Sequence, residues 1–125
     1  MPDKRILIIT NPGSFEGSLI EWLADCWTDS GYCVEFTSNL NTNKDADIAF
    51  LHVDLTDVPI TYLEFSKRFP VVINGNNSSI SKELFSNQIL EKPFGYKGKV
   101  IVKTKENYGG LSELYRGEFS RVERK

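Results

Sequence analysis

With 125 residues, 40% of them apolar and 26% charged, the chain has the length and composition of one soluble globular domain with a single core. No apolar run approaches the ~20 residues of a membrane helix, and Met1-Pro2-Asp3-Lys4-Arg5 leads into only a short apolar stretch, so neither a membrane partner nor a secretory leader is expected and the chain is expected in the cytoplasm. The net charge of −2 hides an asymmetry: residues 1–80 carry five Lys/Arg against eleven Asp/Glu, and residues 81–125 carry ten against six. A basic end on an acidic body suits an anionic ligand such as a nucleotide and equally suits a solvated surface; no nucleic-acid partner is expected.

Ile6-Leu7-Ile8-Ile9 is an unbroken aliphatic run ending at Thr10-Asn11-Pro12-Gly13, and its continuity predicts a strand covered on both faces, as in a parallel sheet between helices. Ser18-Leu19-Ile20-Glu21 matches the capping box, and Leu19, Leu23, Cys26 and Trp27 recur at helical spacing until Gly31 supplies a left-handed stop. Cys26 and Cys33 are read as core thiols, since no second pair exists to complete a zinc site. Cys33-Val34-Glu35-Phe36-Thr37 alternates in polarity and predicts a half-exposed edge strand, followed by a polar loop over residues 38–47.

Ile48-Ala49-Phe50-Leu51 repeats the buried pattern and runs into His52-Val53-Asp54. A helix is expected next, started by Thr56 or Asp57 with Pro59 in its first turn and ended before Pro70. Val71-Val72-Ile73 reads as another buried strand, stopping at Asn74-Gly75-Asn76. This order of strands and helices is that of a right-handed, doubly wound α/β unit, Rossmann-like in class. Beyond it, residues 81–90 place Leu84, Phe85, Ile89 and Leu90 at helical spacing, Val100-Ile101-Val102 reads as one more strand, and Gly109-Gly110 opens a loop before a charged tail.

Ligands of open parallel sheets sit outside the carboxyl ends of the strands. That rule selects Asn11, Gly13 and Ser14 after the first strand, His52 and Asp54 after the third, Asn74 to Asn77 after the fourth, and Lys103 to Gly110, with the pair Gly109 and Gly110, after the last. Asn, Gly and Ser also occur in turns for backbone reasons alone. His52 has no second His or Cys nearby in sequence to suggest a metal site, and Asp45, Asp47, Asp54 and Asp57 are read as loop and cap residues. A lysine at the exit of a buried strand asks for an anionic partner, and paired glycines offer backbone N–H groups to phosphate oxygens; Lys103 snorkelling from an edge strand is the plainer alternative.

The stretch from His52-Val53-Asp54-Leu55-Thr56 through Phe69-Pro70-Val71-Val72-Ile73-Asn74-Gly75, Ser81-Lys82 and Val100-Ile101-Val102-Lys103-Thr104 to Asn107-Tyr108-Gly109-Gly110-Leu111 resembles bacterial ATP-grasp domain proteins. The resemblance implies a pre-ATP-grasp α/β domain over residues 1–80 and the start of an ATP-grasp subdomain over 81–125. It implies ATP and Mg²⁺ as cofactors and an unknown carboxylate as substrate. Lys103 and Lys82 look like phosphate-contacting lysines, and Gly109 and Gly110 like the glycine loop over the triphosphate.

Such ligases carry their metal-binding acidic residues well downstream of that loop, so the 125 residues alone are expected to bind ATP weakly or not at all and to turn nothing over. Asn11, Ser14, His52 and Asn74 are substrate candidates by position only. The rival expectation is a standalone Rossmann-like binding module without catalysis, possible as a homodimer through an edge at residues 33–37 or 100–103. A receiver-like phosphoacceptor domain ranks last, because Thr10-Asn11-Pro12 stands where an acidic pair would be needed.

Overall fold

The computed structural model describes residues 4–13, 17–90 and 94–106. The chain divides into two compact units, Met1–Asp54 with Val58–Ser78, and Leu55–Asp57 with Ser79–Lys125.

The first unit is a four-stranded, all-parallel sheet with a helix against each face. Its elements run β1 (Arg5–Thr10), α1 (Leu19–Asp29), β2 (Cys33–Thr37), β3 (Ile48–His52), α2 (Ile60–Ser66) and β4 (Val71–Ile73). The strand order is β2-β1-β3-β4, with Ile8 opposite Phe36 on one side and Phe50 on the other. Side chains alternate across β1, which is why its aliphatic run is continuous. Leu7 and Ile9 pack with Ala49, Leu51, Tyr62 and Leu63 on the α2 face, while Ile6 and Ile8 pack with Ile20 and Ala24 on the α1 face. Four residues in a row at no more than 6% exposure are the outcome.

The ends of α1 follow from local chemistry. At its start the Glu21 carboxylate accepts the Gly17 N–H at 2.7 Å, one residue before the Ser18 N-cap whose N–H a capping box would engage. At its end the Gly31 N–H donates to Thr28 and the Tyr32 N–H to Trp27, a Schellman pair that the φ of +90° at Gly31 makes possible. The buried positions of this helix are Ile20 and Ala24, with Leu23 and Trp27 partly covered. Leu19 and Cys26 face water, so the expected stripe is rotated, and Cys26 and Cys33 are exposed free thiols rather than core residues.

Two further expectations are corrected. α2 begins at Ile60 with Pro59 as an extended cap residue, since the chain through Thr56 and Asp57 is engaged elsewhere: the Ser79 Oγ and the Ile80 N–H both donate to the Thr56 carbonyl. β4 is an edge strand whose Val71 is 52% exposed, because continuity of apolar residues does not by itself report a second neighbour. Arg68, just before it, holds the 38–47 loop by donating to the carbonyls of Thr42 and Lys44 while its guanidinium stacks 4.6 Å from Phe65 and 4.9 Å from Phe69.

In the second unit the helix is a single turn, α3 (Lys82–Phe85), ended at Ser86 in an extended conformation. The expectation of a helix through Leu90 and of a strand at Val100-Ile101-Val102 is overturned: residues 100–103 have no regular secondary structure and are exposed. An apolar trio becomes a strand only where neighbouring strands complete its ladder, and none of the described residues does so here.

Candidate functional site

A strand order of 2-1-3-4 places the topological switch between β1 and β3: the chain leaves β1 for one side of the sheet and later returns to the other. In open parallel sheets ligands bind outside the carboxyl ends of the strands that flank such a point, here β1 and β3. In register, Thr10 stands beside His52 at that end.

Two asparagines join these strand ends. Asn11, 5% exposed, accepts the Asp54 N–H on Oδ1 at 2.8 Å, which ties the exit of β1 to the exit of β3. Asn74 ends β4 in the left-handed region at φ 65° and donates from Nδ2 to the Leu51 carbonyl at 3.3 Å, while its Oδ1 accepts from Asn77. Both amides thus converge on the segment around His52, one from each side. Their side-chain bonds span strands, which a turn-only role would not require.

His52 is half-buried, and burial lowers its pKa below the ordinary imidazole value, with the neighbouring Asp54 charge acting weakly in the opposite direction. A neutral imidazole at pH 7 carries one donor and one acceptor. Together with the Asp54 carboxylate and the asparagine amides it forms a polar site suited to a small ligand bearing both donors and acceptors. Thr10 was missed as a site residue by sequence reasoning. Its signal is a hydroxyl at the last position of an apolar run, where it is 0% exposed and its Oγ1 has no hydrogen-bond partner among the described residues.

A hollow of about 170 Å³ lies at the opposite, amino end of the sheet, lined by Arg5, Cys33, Glu35, Lys44 and Asp45. Its charges are matched with one another, Arg5 with Asp45 at 3.3 Å and Lys44 with Glu35 at 2.9 Å, and Asp47 accepts the Arg5 N–H. We therefore place the candidate site at the carboxyl end.

Ser14, Gly109 and Gly110 lie outside the described residues. Lys82 and Lys103 belong to the second unit. There the Lys82 Nζ donates to the Glu106 carbonyl at 2.8 Å and the Lys82 N–H to the Lys105 carbonyl at 3.4 Å, so α3 and the segment that follows Lys103 are joined locally. Lys103 itself is exposed and does not leave a buried strand, which removes the burial argument for its having an anionic partner.

Fold and site together define a parallel α/β domain whose strand-end polar residues meet at the switch point. No protein family, no curated protein and no solved structure matches the chain in the three comparisons made.

Proposed function

We propose that the chain is the opening portion of an ATP-dependent carboxylate–amine ligase, in which the first unit holds the carboxylate substrate at its strand-end crevice and residues 82–106 meet the nucleotide. The observation that supports the reading is the Lys82 contact: its Nζ bonds to the Glu106 carbonyl, 24 positions on and three residues past Lys103, the other lysine that the ATP-grasp resemblance assigns to phosphate groups. An ammonium has three donors, so Lys82 keeps two for a phosphate after bonding to Glu106.

When bound, ATP supplies the phosphoryl group that activates a carboxylate toward an amine. The chain's own contribution would be electrostatic: Lys82 and Lys103 offset the charge of the phosphates, and Asn11, His52 and Asn74 orient the substrate. Among the described residues no three His, Cys, Asp or Glu side chains gather to hold a metal ion.

A second reading, a binding module without catalysis, is favoured by Asn11, His52, Asp54 and Asn74 all lying within the first unit. Calorimetric titration of the 125-residue chain with ATP·Mg²⁺ separates the two. Weak, saturable binding that Lys103→Ala and Lys82→Ala each weaken by about tenfold is expected for the ligase reading, as for loss of a hydrogen bond to a charged group. Heat that is the same in both variants would leave only the binding module.

A further inference from the structure

We propose that the amino end of α1 is a seat for an oxyanion, the phosphate or carboxylate group of a small-molecule ligand, with the Thr10 hydroxyl as its floor. The inference rests on the crevice reading of the first unit, because the exit of β1 is a wall of both.

Alternation along β1 puts Thr10 on the same face as Ile6 and Ile8, the face that α1 covers. α1 runs back along β1, with Ala24 and Ile20 packed in the Ile6 and Ile8 cluster. Two residues of strand advance about 6.6 Å and one helical turn about 5.4 Å, so strand and helix keep nearly in step. One step beyond Ile8 is Thr10, and one turn before Ile20 is the Gly17 to Leu19 opening of the helix. The Thr10 side chain is therefore aimed at the first turn of an eleven-residue helix.

Both features ask for the same partner. The fully buried Thr10 hydroxyl has no partner among the described residues, which opposes folding, and valine would fill the same space at no such cost. The first N–H groups of a helix are orphan donors at the positive end of its dipole. Beside them, the N–H of Gly17, one residue before the Ser18 N-cap, is already held by an anion of the chain's own, the Glu21 carboxylate at 2.7 Å. Glu21 thus occupies the seat in the free protein and competes with a ligand for it. An entering oxyanion takes over that donor and accepts from Thr10, so that the hydroxyl acquires its partner only in the bound state.

The test is a titration of ¹⁵N-labelled protein with inorganic phosphate, and separately with acetate, followed through backbone amide shifts. The Gly17 and Ser18 amides should move saturably, and the anion that binds more tightly identifies the ligand's group. Glu21→Gln should tighten binding by about 2- to 5-fold, the size of a single charge effect at a helix end. Thr10→Val should weaken it by about tenfold while keeping or raising the thermal midpoint, and Thr10→Ser should restore it. Gly17 and Ser18 amides that stay still with both anions in Glu21→Gln, or affinity indifferent to Thr10→Val, would overturn the seat. Movement confined to the His52 and Asn74 amides would overturn it as well and leave the crevice standing.

Discussion

Residues 6–9 and residues 100–102 are both unbroken aliphatic runs, yet the first is the centre of a sheet and the second leaves Ile101 at 83% and Val102 at 91% exposure. The two do not differ in strand propensity. They differ in company: β1 has a parallel neighbour on each side and a helix over each face, whereas residues 100–102 have no ladder partner among the described residues. A strand is a property of pairing and cover, and the sequence of one run specifies neither.

The widest separation between the two regions is expected in stability. Ile8→Ala, at a position with 0% exposure, should lower the free energy of unfolding by about 3 kcal/mol, while Ile101→Ala should stay within about 0.5 kcal/mol of the parent. Urea unfolding followed by tryptophan fluorescence measures both. A loss at Ile101 comparable to that at Ile8 would show that residues 100–102 are covered and break the comparison.

Next in size is Arg68→Ala, which removes two donations to the 38–47 loop and the contacts with Phe65 and Phe69. About 1 kcal/mol should be lost, because the site is exposed, and the loop's amides should exchange faster with solvent. Unchanged exchange over residues 38–47 would contradict the pinning role.

The smallest effect is a pH dependence at the crevice. Burial holds the His52 pKa below 6.5 in the folded protein. Above 6.5 the imidazole is neutral in both states and its environment costs nothing; as pH falls through 6.5 the unfolded chain takes up the proton first, so stability declines until the folded-state pKa is passed. Urea midpoints between pH 7.5 and 5 should therefore fall more steeply in the parent than in His52→Asn. Parallel profiles would show that His52 is not desolvated.

Much of the first unit was legible. The four strands, both helices, the Gly31 stop and the edge position of β2 all follow from periodicity and from turn chemistry. Edge and centre were not separable for β4, whose run of Val71-Val72-Ile73 resembles that of β1 but pairs on one side only. The strand-end rule placed Asn11, His52 and Asn74 correctly at one end of the sheet. Their linkage through Asp54 and Leu51 was not legible, because it depends on hydrogen bonds between residues 43 and 23 positions apart. Thr10 escaped notice for a simpler reason: threonine is an ordinary strand residue, and only its buried, unpartnered oxygen sets it apart. In the second unit the aliphatic pattern was misleading, and the Lys82 contact with Glu106 had no local signature at all.

Residue-resolved amide hydrogen exchange, with and without ATP·Mg²⁺, tests the proposed division of labour most directly. The account predicts strong protection in β1 and β3 in both conditions, weak protection at residues 99–105 in the free chain, and a gain there and at Lys82 when the nucleotide is added. Protection that is unaltered by nucleotide at Lys82 and residues 99–105, or that changes only in the sheet, would contradict it.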